Sequence, residues 1–310
     1  MRNKLLLSTG GLLTAACAVI YSLLFLTGIS PETGLVTNSL LLWLTCGLSA
    51  ALIVFWFAAA FFLLDAPLKI REKRPADKEK KEKQKRNKEK KKEKEPPRPI
   101  DPLMITALPK HAAPFYAAFL FILMAAVLFL FLQAARDFSA FHLAIAIFAL
   151  LALAAFIRAA ILHMTVRPRE YDAFLLPAPI IFACLFSIFT YQKVAKMPQA
   201  SAYFPEMMAL IGFVMGFYLF LTHFFGSPAR RAHLFAALLE TSFGSILYIE
   251  KLVSLFSAFF SSEIVSAGDY FTEVASLMVY AASAVLGAVY TMLLFRPVGK
   301  KEPQAAEQEP

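Results

Sequence analysis

Residues 112–135 read AAPFYAAFLFILMAAVLFLFLQAA, without one charged side chain. A hydrocarbon core of about 30 Å is crossed by about 20 helical residues, each rising about 1.5 Å. The stretch is therefore long enough to span a bilayer. Its apolar residues run continuously instead of alternating, which excludes a membrane strand. In lipid, only a helix satisfies such a backbone from within.

Seven more stretches of this kind flank it: Leu5 to Ile29, Leu40 to Leu64, Ala140 to Met164, Phe174 to Tyr191, Phe204 to Phe225, His233 to Phe260 and Tyr270 to Phe295. The expected fold is an all-α polytopic membrane bundle. Eight transmembrane helices pack as four antiparallel hairpins, with both termini on the cytoplasmic side. Composition points the same way: 59% of the 310 residues are apolar and only 17% charged. Ordinary soluble domains stand near about 45–50% and about 25%.

Charge placement tests the count. With a cytoplasmic N-terminus, inner segments hold 27 of the 31 basic residues, from Arg2 and Lys4 to Lys300 and Lys301. Outer segments hold Arg136, Lys193 and Lys196, and Lys251 lies within the seventh helix. One helix more or fewer would invert every later loop and destroy this bias. The expected location is a bacterial-type plasma membrane. Arg2 and Lys4 ahead of an apolar run resemble a signal peptide, with Cys17 near a lipoprotein-like site. The run continues well past Cys17, however, so an uncleaved first helix is expected.

Four parts follow along the chain: helices one and two in 1–66, a basic linker in 67–111, helices three to eight in 112–298, and a polar tail in 299–310. From Lys69 to Arg98 the linker carries 16 Lys or Arg against 7 Asp or Glu, so its net charge equals the +9 of the whole chain. Its middle, from Ala76 to Glu95, has almost nothing apolar to bury, so the linker is expected to be disordered or a solvated helix. Anionic lipids are its first expected partner, at about 1 kcal/mol per basic residue near such a surface, with an acidic protein second. Nucleic acid is disfavoured, since no aromatic residues interleave for base stacking.

Ionisable side chains inside membrane helices are the strongest functional pointers, because each costs at least about 2.5 kcal/mol at mid-bilayer. The candidate polar cluster is Glu240, Glu250 and Lys251 of helix seven with Arg158 of helix four. At about 100° per residue, Glu240 and Lys251 share one stripe and Glu250 points away from it. Comparable depth pairs Glu240 with Arg158 as a salt bridge. This group reads either as structural glue or as the lining of a cavity, and an interfacial placement of helix seven is a third possibility.

Gly212 and Gly216 form a GxxxG in helix six, and Ser283 with Gly287 repeats the spacing in helix eight; such pairs let helices approach closely. Pro177 and Pro179 begin or kink helix five. No cofactor is expected. Cys17, Cys46 and Cys184 read as packing residues, and His163, His223 and His233 lack the spacing of metal ligands. Hydrolase, metalloprotease and nucleotide-binding motifs are absent. Tyr171-Asp172 matches half of an intramembrane aspartyl protease motif and reads as chance. The composition leaves a non-enzymatic membrane component or scaffold first, a small-molecule transporter second, and an intramembrane enzyme without a motif behind it.

Overall fold

The computed structural model describes residues 2–29, 35–63, 112–165, 172–195, 200–225, 230–260 and 267–294. The linker and the tail therefore lie outside the described residues, as do the side chains of His163 and His223.

Eight long helices account for nearly all of the described residues: α1 Arg2–Thr27, α2 Ser39–Ala58, α3 Ala113–Asp137, α4 Ala140–Thr165, α5 Ala178–Val194, α6 Phe204–Phe225, α7 Arg230–Phe260 and α8 Ala267–Leu294. Seven of them are long and apolar enough to cross a membrane, and α5 is a shorter apolar helix of 17 residues. At about 1.5 Å per residue that is about 25 Å, the lower limit for a span. The chain is an integral membrane protein with an all-α polytopic fold.

Helix ends follow local chemistry. Asn38 caps α2, its side-chain oxygen accepting the Leu41 N–H at 3.2 Å. Pro114 and Pro179 stand in the first turns of α3 and α5, where a missing N–H costs nothing. Pro177 and Pro179 therefore start α5 and do not kink it. The start is later than the sequence implied, because Asp172–Leu175 forms a separate helical turn. Between α3 and α4 the chain reverses at Phe138, whose φ of 46° is left-handed. That conformation costs an aromatic residue roughly 1–2 kcal/mol.

Successive helices do pair as hairpins, but the hairpins are not independent. The six helices α3 to α8 form a closed ring in chain order, completed by α8 packing on α3 as well as on α7. The α1–α2 hairpin docks outside this ring against α7, with α2 also reaching α6. Helix α7 thus touches four others, and the greater part of its span is buried. Such enclosure sets α7 inside the bundle, among the helices long and apolar enough to cross a membrane.

Phenylalanine fills the ring. Phe156 meets Phe119, Phe217 and Phe220 at centroid distances of 4.9, 5.2 and 5.1 Å. Phe213 bridges Phe182 and Phe217 at 5.9 and 4.4 Å. All of these side chains are buried. Between helices already in lipid there is little hydrophobic gain, so this fit of rings holds the helices together by dispersion.

Candidate functional site

Helix α7 carries the polar groups that the fold encloses, and they separate into two levels. At the first, Glu240 is buried and its Oε1 accepts from Ser283 of α8 at 3.1 Å. On the other side it faces α6: a Cβ built on Gly216 would stand 2.5 Å from Glu240 Oε2, and one on Gly212 3.4 Å from the Glu240 nitrogen. Across α8, a Cβ on Gly287 would meet the Ala237 carbonyl oxygen and Thr241 Oγ1, both at 2.6 Å. The two small-residue pairs therefore flank α7 from opposite sides, and the room made by Gly216 is filled by the Glu240 carboxylate.

The expected bridge between Glu240 and Arg158 does not form. Both side chains are buried, but Arg158 turns to Asp172, with Nε and Nη2 reaching Oδ1 and Oδ2 at 2.6 and 3.0 Å. Such a planar fork onto one carboxylate is the geometry guanidinium favours. It pins the end of α4 to the Asp172–Leu175 turn. Asp172 supplies the counter-charge that depth arguments assigned to Glu240.

The second level lies at the end of the ring where α5 finishes and α6 and α8 begin. Lys251 Nζ reaches Glu273 of α8 at 3.0 Å, and Lys193 of α5 bonds the same carboxylate. Glu250 stands 3.8 Å from Lys251, beyond hydrogen-bond distance. Glu206 of α6 accepts from the Tyr280 hydroxyl at 2.9 Å. Tyr21 of α1 and Tyr203, in the 3₁₀ turn Ala200–Tyr203, lie within electrostatic reach of Glu206 and Glu250. Glu206, Glu250, Tyr21 and Tyr280 are all buried.

Sequence reasoning found Glu250 and Lys251 here and missed Glu206, Glu273 and Lys193. A signal was available, since Glu206 and Glu273 stand among the first residues of two membrane helices. A charge at a helix start is ordinarily a boundary charge facing water, so neither stood out in the sequence. Helix α7 is long enough to bring Lys251 up to that boundary, so the two sets meet. Eleven residues separate Glu240 from Lys251, and both find their partners on α8, as a shared stripe requires.

A third polar node joins the hairpin to the ring. Ser242 Oγ accepts the Trp56 indole N–H at 2.8 Å and the Thr14 hydroxyl at 3.1 Å. Gly10 admits the Trp56 ring, since a Cβ there would meet it at 2.1 Å. At the far end of α2 the helix widens into a π turn, Ala59–Leu63, and the freed Phe61 carbonyl accepts from Arg231 of α7 at 2.9 Å. Among the described residues no three His, Cys, Asp or Glu side chains converge as a metal site. Compared with known families, with curated proteins and with solved structures, the chain finds no match in any of the three.

Proposed function

We propose that this chain is a non-enzymatic membrane component, a rigid helical ring that scaffolds an assembly and presents a basic arm to lipids or an acidic partner. The ring interior carries this reading. Phe156, Phe182, Phe217 and Phe220 are buried at 1% exposure or less. Even the carboxylate at mid-ring is enclosed between Gly216 and Ser283. A transporter needs a polar route through its centre, and the packed phenylalanine rings count against one at their level.

The arm is the 69–98 segment with its +9 charge. Its composition favours anionic lipid headgroups first, and the bias of basic residues to one set of loops supports reading the linker and both termini as cytoplasmic, at a bacterial-type plasma membrane. The division into a two-helix unit, a linker, a six-helix unit and a tail belongs to the same proposal. A second reading, a small-molecule permease, draws on the charged groups within the ring at Glu240, Glu250 and Lys251.

Thermal melting of the purified protein and its Glu240→Gln variant against a broad solute panel separates the two, beside vesicle binding of the 69–98 peptide. The scaffold reading expects no solute whose effect depends on Glu240, and peptide binding that rises with anionic lipid content. A solute that stabilises the wild type alone would replace the scaffold with the permease, since selective binding raises folded-state stability.

A further inference from the structure

We infer that the edge of the α2–α7 seam binds one anionic phospholipid, with its phosphate at Arg231 and its acyl chains over Phe57 and Phe62. The site lies on the described helices, apart from the 69–98 arm, and does not depend on the scaffold role proposed above.

Local spacing builds this edge. Phe57 and Phe61 stand four residues apart at the end of α2, and Arg231 and Phe235 four apart at the start of α7, so each pair shares one helix face. The two faces meet. Phe57 stacks on Phe61 at a centroid distance of 4.7 Å and takes Phe235 edge-on at 5.7 Å. Phe62 adds a further ring beside Phe57 at 6.3 Å. Yet Phe57 is 46% exposed and Phe62 76%, so these rings form an outer surface and not a piece of the core.

Charge and depth select the occupant. Arg231 is exposed, and its Nη1 donates to the Phe61 carbonyl at 2.9 Å. That bond holds the guanidinium beside the rings without neutralising it. Among the described residues no carboxylate lies within 4 Å of it, whereas Arg158, Lys193 and Lys251 each have one. The apolar span of α2 ends at Phe62, and that of α7 opens at Arg231. The guanidinium therefore stands where hydrocarbon gives way to headgroups, with the rings just inside. A cation at that level above exposed rings matches a phospholipid from its phosphate to its chains. Guanidinium receives phosphate through a planar fork of donors. Phosphatidylcholine offsets its phosphate with its own choline cation, so the site favours a headgroup of net negative charge.

Thermal melting of the full chain in phosphatidylcholine nanodiscs, with increasing phosphatidylglycerol, tests this. The phosphate is the only charge of that added lipid. It should raise the melting temperature saturably, and tenfold above half-saturation the apparent folding constant should rise ~11-fold by mass action. Arg231→Gln should lose this rise. Loss of the bond to Phe61 lowers melting in both lipids alike, so the difference between lipids isolates the headgroup contact. The arm is present in both proteins and drops out of the comparison. Phe62→Ser should weaken the response. Arg136→Gln should keep it, because that exposed arginine ends α3 at the opposite end of the bundle, where Phe129 meets Phe271. Inorganic phosphate in phosphatidylcholine nanodiscs should do no more than chloride at matched ionic strength. A saturable rise with inorganic phosphate would make this a plain anion site and overturn the lipid assignment. No rise with phosphatidylglycerol, or an equal one in Arg231→Gln, would overturn the site itself.

Discussion

Gly287 and Ala237 lie so close across the α7–α8 seam that a Cβ on the glycine would stand 2.6 Å from the alanine carbonyl oxygen. Backbone cannot move aside as a side chain can. Gly287→Ala should therefore lower stability by about 1–3 kcal/mol, the usual cost of overpacking. Gly216→Ala should cost less, because it meets the movable end of Glu240. Gly47→Ala meets nothing within 4 Å and should be neutral or stabilising. Melting of the three purified variants checks the order, and an equal loss in all three would refute it.

The Arg158–Asp172 fork predicts a large coupling. Arg158→Ala or Asp172→Asn alone should cost about 3–5 kcal/mol, because each takes the opposite charge of the fork away from a buried group. The double variant should lose much less than the sum of the two. Additive losses in a double-mutant cycle would mean that the fork contributes no coupling.

Ser242→Ala removes the acceptor shared by Trp56 and Thr14. The global loss should be small, about 1 kcal/mol. Its location should be specific. Hydrogen exchange should rise in α1 and α2, the hairpin held by that node, and stay unchanged in α3 and α4. A uniform rise across all eight helices would show that ring and hairpin open together.

Deleting residues 76–95 should leave the melting temperature nearly unchanged. The shortened connection between α2 and α3 alters loop-closure entropy by only a few tenths of a kcal/mol. Binding to vesicles rich in anionic lipid should weaken in the same variant. A large drop in melting temperature would show that the segment packs on the ring.

The membrane character and the helix spans were legible because both rest on composition over some twenty residues. Nothing distant has to be known for that sum. The small-residue pairs Gly212 with Gly216 and Ser283 with Gly287 were legible for a related reason, since their spacing places each pair on one helix face. The partner of Arg158 was not. Depth alone put Glu240 at a suitable level, but α4 and α7 are not neighbours in the ring, whereas Asp172 follows α4 directly in the chain. Glu206 and Glu273 were missed for a similar reason. A charge at a helix start reads as wet unless one knows what packs over it, and here α1, α5 and α7 converge there.

By itself the sequence determined that this chain enters a bilayer through several apolar helices, and that its positive charge is gathered in one segment. Each of these follows from transfer of a local segment between water and lipid, a property additive along the chain. Only the tertiary structure decided that α3 to α8 close into a ring, that α7 stands at its seam with the α1–α2 hairpin, and which buried charges find partners. Those outcomes depend on the fit of side chains between helices far apart in sequence. Once the helices are in lipid, water no longer ranks the alternative arrangements, so shape and a few hydrogen bonds make the choice.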